Sequence, residues 1–139
     1  MKVEKTGIYI DLKELHKLLY RAQFTMTKGD RIIMGDRLLD LNQELMSLLS
    51  RATNESDQKT KIEYIDRMIG TFDALKLNLE SASDLTMFKD SRVTVDRDSG
   101  SSQRISPLIL EIFKRIASID NGINKWRSAT RARSISNKI

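Results

Sequence analysis

Four stretches of the chain place an apolar side chain at every third or fourth position, and that spacing limits the fold more than any other feature. The first holds Leu12, Leu15, Leu18, Leu19 and Ala22, and the second Met34, Leu38, Leu41, Leu45, Leu48, Leu49 and Ala52. The third holds Ile62, Ile65, Met68, Ile69, Phe72, Leu75, Leu79 and Ala82, and the last Ile109, Ile112, Phe113, Ile116, Ile119, Ile123 and Trp126. A period near 3.6 gives a helix with one apolar face, which must be covered by another such face. A many-stranded sheet would need turn residues that the chain hardly has, since it carries one Pro and six Gly. The expectation is an all-α fold.

Cap and turn residues set the boundaries. Asp11 reads as the N-cap of helix one, which ends near Thr25–Lys28, and Gly29-Asp30 reads as the break before helix two. Helix two runs to about Ala52. The polar cluster from Thr53 to Asp57 is short enough to return helix three antiparallel, from about residue 58 to Met87, a length of roughly 45 Å. Residues 90–105 read as a loop. Val93 and Val95 alternate with Thr94 and Asp96 as in a strand, but one strand has no partner in this sequence. Ser106-Pro107 then supplies an N-cap and a first-turn Pro for helix four, in which Gly122 serves close packing or a local bend. The architecture expected is an up-down four-helix bundle over residues 1–128, with a long loop (about 90–105) between helices three and four and a basic tail at 129–139.

With 139 residues there is room for one domain, and 40% hydrophobic content suffices for its core. The absence of Cys excludes disulfides, thiolate metal sites and thiol nucleophiles. The start, Met1-Lys2-Val3-Glu4-Lys5, lacks a signal core, and no apolar run approaches a membrane span of roughly 20 residues, so a soluble cytoplasmic protein without membrane contact is expected.

Charge is uneven. The chain has 24 basic and 19 acidic side chains, yet its last fifteen residues hold Lys125, Arg127, Arg131, Arg133 and Lys138 with no acid, leaving a formally neutral body. Such an end points to a polyanion, with Arg133 and Lys138 expected beyond any ordered helix. Five cations neutralise at most about five phosphates, a salt slope of roughly −3.5 on single strands to −4.5 on duplex. The bland alternative is a solvated terminus that aids solubility. Lys28, Arg31 and Arg37 form a second basic cluster near the start of helix two, although Asp30, Asp36 and Asp40 are close enough in sequence to pair with them.

Other residues point away from catalysis. Trp126 lies on the stripe of Ile119 and Ile123, which favours core or subunit packing over base stacking. Tyr9, Tyr20 and Tyr64 are scattered. His16, the single histidine, has neither the co-ligands of a zinc site nor the partners of a triad, and it reads as an exposed helix residue. The carboxylates interleave with Lys and Arg as on solvated helix faces, no Glu-x-x-His motif serves a di-iron centre, and no Gly-Lys-Ser/Thr ending makes a phosphate loop. The reading is non-enzymatic, without metal or cofactor.

Several features together resemble a known family. They are Tyr9-x-Asp11-Leu12 in helix one; Lys28, Arg31, Gly35 and Arg37 leading a Leu-rich helix; Leu75, Leu77 and Leu79 before Ala82-Ser83-Asp84-Leu85; and an Ile-rich last helix closing on Trp126 before basic residues. Over roughly residues 9–128 the chain resembles the accessory variability determinant (Avd) proteins of diversity-generating retroelements and the related four-helix proteins encoded by intervening sequences of bacterial 23S rRNA genes. That resemblance implies a homopentameric barrel with a basic surface that supports a reverse transcriptase and its template RNA. Independently, Ile32, Ile33 and Leu77 lie beside the core series rather than in it, which leaves apolar surface for self-association. The functional expectation is an oligomeric accessory protein that binds RNA or DNA. The alternative is a protein–protein scaffold that binds no nucleic acid.

Overall fold

The computed structural model describes residues 6–90, 92–95 and 102–137. Helix α1 spans Gly7–Thr25, α2 residues 28–54, α3 Gln58–Asp84 and α4 Pro107–Asn137. Each helix packs against its sequence neighbour and α4 closes back on α1, so the four form an up-down bundle in ring order. The apolar stripes meet in one core, where Leu12, Leu15, Leu45, Met68, Leu75, Leu79, Ile112 and Ile119 are fully enclosed. Among the described residues no helix is long and apolar enough to cross a membrane.

The helix starts follow local chemistry, at places that differ in part from the sequence expectation. α1 begins four residues before Asp11, because Thr6 Oγ1 accepts the N–H of Tyr9 at 3.1 Å. Asp11 is not a cap. It accepts from Arg115 Nη1 and from the Ser118 hydroxyl, both at 2.8 Å, and so ties α1 to α4. The break between α1 and α2 falls at Met26 and Thr27, both extended, and Gly29 lies inside the next helix. Thr27 decides this, since its Oγ1 accepts the N–H of Asp30 at 3.2 Å and starts α2 there.

α2 has three parts: an α turn Lys28–Asp30, a π turn Arg31–Gly35, and α-helix Asp36–Asn54. The wider π turn brings Gly35 against α1 so closely that a Cβ there would lie 2.9 Å from Gln23 Cγ. Asp57 caps α3, its Oδ2 accepting from both the backbone N–H (3.1 Å) and the hydroxyl (2.6 Å) of Thr60. α3 ends at Asp84, three residues before the expected Met87, in a Schellman closure. Met87 N–H bonds Ala82 O at 2.9 Å, Thr86 N–H bonds Ser83 O at 3.0 Å, and Thr86 takes the left-handed φ of 53° that usually calls for Gly.

The long connection from α3 to α4 is pinned at both ends. Phe88 is buried, Lys89 N–H donates to Thr25 O at 3.3 Å, and Asp90 accepts from the Ser106 hydroxyl (2.6 Å) and the Leu108 N–H (3.2 Å). Ser106 Oγ accepts the N–H of Ile109 at 3.1 Å, as its place before Pro107 foretold. Within the connection the Val93–Val95 stretch does find a partner. β1 (Arg92–Val95) pairs antiparallel with β2 (Ser102–Ile105), Arg92 opposite Ile105 and Val95 opposite Ser102. The partner escaped the sequence reading because Ser-Gln-Arg-Ile has no apolar alternation. Gly122 serves close packing, its Cα facing Ile8 so tightly that a Cβ would lie 3.1 Å from Ile8 Cγ1.

Candidate nucleic-acid interface

The cationic end of the chain is helical. α4 continues to Asn137, so Arg133 lies within it rather than beyond it, and Lys138 falls outside the described residues. The apolar stripe explains the extension. Thr130 follows Ile123 by seven residues and is 1% exposed, so the buried face runs a turn past Trp126, which itself packs half-buried against the core. The methyl group of Thr130 and its seven-residue spacing from Ile123 are the sequence signal for this extension.

Extending the helix carries two of the expected free cations against an acid. Arg127 Nε lies 3.0 Å from Asp66 Oδ1 and Arg131 Nη2 3.6 Å from Oδ2, on antiparallel α3. The three side chains are 37%, 50% and 42% exposed, so solvent screens the pairs and they remain open to competition by another anion. Lys125 and Arg133 are exposed and make no ion pair among the described residues. The end of α4 therefore presents cations along one helix, with Asp66 taking up a single charge.

The second cluster behaves differently from its local-pairing reading. Arg37 is exposed and forms no ion pair with Asp40; Asp36 instead accepts from Gln23 Nε2 at 2.7 Å. Lys28 is exposed. Arg31 is half-buried, its Nε donating to Gln23 O at 3.3 Å while its guanidinium carbon lies 5.3 Å from the centre of the Phe24 ring. No acid comes within ion-pair distance of Arg31 among the described residues, so Asp30 and Asp36 do not neutralise it.

These two clusters are not brought together. The first turns of α2 sit beside the end of α1, whereas Gly122 already meets Ile8 at the start of α1 and the α4 cations lie further on. At about 1.5 Å per helical residue the clusters are on the order of 30–40 Å apart along the bundle.

The sequence reading missed an aromatic pair. Tyr20 and Phe24 are 53% and 58% exposed, with ring centroids 4.9 Å apart and planes at 81°. Their i, i+4 spacing in the sequence is the signal that places the two rings side by side on α1. Ile32, Ile33 and Leu77 are exposed as expected, at 61%, 72% and 63%.

His16 is half-buried rather than exposed, with Nδ1 3.5 Å from Nδ2 of Asn42. Asn42 is wholly enclosed between α1 and α2; its Nδ2 donates to Leu12 O at 3.0 Å, while its Oδ1 has no partner among the described residues. An open groove between α1 and α4 is lined by Glu14, Glu111, Arg21, Lys114 and Arg115, a mixture without net preference for one sign of ligand. Among the described residues no three His, Asp or Glu side chains gather as metal ligands. In comparisons with known proteins the chain matches no family model, and no curated protein matches it.

Proposed function

We propose that this bundle is a non-enzymatic, self-associating accessory protein that binds nucleic acid through the cationic end of α4. The observation that supports it most is the imbalance there: Lys125, Arg127, Arg131 and Arg133 lie along the end of α4, and Asp66, beside Arg127 and Arg131, is the one carboxylate that pairs with any of them among the described residues. Guanidinium and ammonium groups held on a rigid helix, half-exposed and only partly neutralised, suit a phosphate backbone, and they carry no base-reading geometry. Binding is then sequence-independent and falls steeply with salt.

Self-association would cover Ile32, Ile33 and Leu77 and multiply the terminal charge by the number of subunits, which raises avidity without new contacts. The resemblance to Avd-type proteins extends the proposal to a homopentamer that serves a reverse transcriptase and RNA, in the cytoplasm. The same exposed apolar residues favour the second reading, a scaffold that docks a protein partner.

Fluorescence anisotropy with labelled RNA and DNA, titrated with salt, separates the two. The double variant Lys125→Glu, Arg133→Glu alters exposed side chains and should abolish most of the salt-sensitive binding. A wild-type protein that binds neither polymer at low salt leaves only the scaffold. Sedimentation equilibrium gives the subunit number.

A further inference from the structure

We propose that Tyr20, Phe24 and Arg31 form a stacking platform for an unpaired nucleotide, a contact separate from the α4 end. The inference rests on the nucleic-acid reading above and deepens it, by giving the protein a means to tell single-stranded from paired polymer.

Three observations carry it. Two aromatic rings stand more than half exposed one helical turn apart on α1, touching edge to face, whereas the other exposed large apolar side chains among the described residues are aliphatic. An aromatic face of this kind accepts any base, because every base has a π-face of its own. Next, a guanidinium lies 5.3 Å from the Phe24 ring centre and is tethered through Nε to the Gln23 carbonyl. That tether leaves the terminal nitrogens of Arg31 without an acceptor among the described residues, in the fork geometry that suits phosphate oxygens. Finally, the acids nearest in sequence do not occupy the site: Asp36 is engaged by Gln23 Nε2 at 2.7 Å, and neither Asp36 nor Asp30 pairs with Arg31. Arg21 and Lys28, both exposed and without ion pairs among the described residues, add positive charge at the same end of α1 and α2.

The local fold fixes this arrangement. The π turn puts Gly35 against Gln23, Gln23 orients both Arg31 and Asp36, and Arg31 lies against Phe24. The guanidinium lies over one face of the half-exposed Phe24 ring, so a planar ligand would stack on the remaining exposed ring surface with its anion reaching round to Arg31. A base with its own phosphate has both, whereas a base inside a duplex has its faces covered. A purely apolar protein surface would leave the guanidinium charge unanswered.

The test uses the full chain and two fluorescent probes of roughly 15 nucleotides, an oligouridylate and a duplex of equal length. Phe24→Ala and Phe24→Leu should each weaken oligouridylate binding about five-fold or more, with Phe24→Trp restoring it. Duplex affinity should stay unchanged, because no ring meets a paired base. Circular dichroism checks that each variant remains folded, and the Leu variant keeps apolar area while removing the ring. Unchanged oligouridylate binding in the Ala and Leu variants, with strong loss in Lys125→Glu, Arg133→Glu, overturns the platform and leaves the accessory reading standing. Equal losses on both probes also overturn it. A Phe24 variant that changes particle mass in sedimentation with no change in affinity reassigns the surface to a contact between subunits. If the unaltered protein binds neither probe, both proposals fall together.

Discussion

Asp66 offers a graded test of where phosphates contact this protein. Its carboxylate is the one acid that Arg127 and Arg131 share, and it offsets one of the five cations that end the chain. By charge the wild-type end acts as four cations, a salt slope of roughly −2.8 on single strands and −3.6 on duplex. Asp66→Asn restores five, giving roughly −3.5 and −4.5, and Asp66→Lys reaches six, giving roughly −4.2 and −5.4. Each step steepens the slope by about 0.7–0.9, which across a tenfold range of salt is a relative change in affinity of about five- to eight-fold. The fold should barely respond, since pairs this exposed contribute about 0–1 kcal/mol and their loss lowers the melting temperature by at most about 5 °C. Anisotropy titrations at several salt concentrations, with circular dichroism as the folding control, measure both. Three folded proteins with one common slope would falsify the assignment of phosphate contact to this end of α4.

Two identical substitutions should move stability in opposite directions. Gly70→Ala places a methyl in open space on α3 and should stabilise by about 1 kcal/mol through helix propensity, whereas Gly35→Ala meets Gln23 at 2.9 Å and should destabilise by about 1–2 kcal/mol despite the same propensity gain; urea unfolding of both decides. At Asn42, whose enclosed Oδ1 lacks a partner among the described residues, Asn42→Leu should be neutral or stabilising by about 1 kcal/mol, while Asn42→Asp should lose at least about 2 kcal/mol by setting a carboxyl against the Leu12 carbonyl. If Asn42→Leu instead loses several kcal/mol, the Nδ2 bond outweighs the orphaned oxygen. The Thr60 hydroxyl and N–H hold the Asp57 carboxyl below the usual aspartate range. The unfolded chain therefore binds the proton more readily, and this stabilisation is full above the unfolded pKa and lost as pH falls through the folded one. Asp57→Asn keeps a capping oxygen that does not titrate, so the stability gap between wild type and variant should hold at neutral pH and close as pH falls below about 4, the ordinary aspartate value, through the folded pKa; a constant gap refutes the coupling.

The helices were legible because a 3.6-residue apolar period has one consequence for a backbone in water, and two of the four starts followed from single side chains, Asp57 before α3 and Ser106 before Pro107. Other boundaries were not legible, since several residues competed for the same role. Thr6 and Asp11 could each have started α1, and Gly29 and Thr27 could each have marked the break before α2. The winner in each case depends on what the loser does elsewhere, and Asp11 is occupied by Arg115 and Ser118, about a hundred residues away. The partner of Asp66 was hidden for the same reason, because an ion pair between α3 and α4 depends on their register.

What the sequence determined by itself was therefore local and additive: four amphipathic helices, their antiparallel order, and an excess of positive charge confined to one end. The tertiary structure decided which charges remain unneutralised and which rings remain uncovered. Asp66 draws Arg127 and Arg131 inward, while Gln23 occupies Asp36 and leaves Arg31 beside Phe24. Composition sets the number of charged groups. Pairing depends on distances of a few ångströms between separate helices, and those distances exist only once the core has fixed how the helices slide and turn against one another.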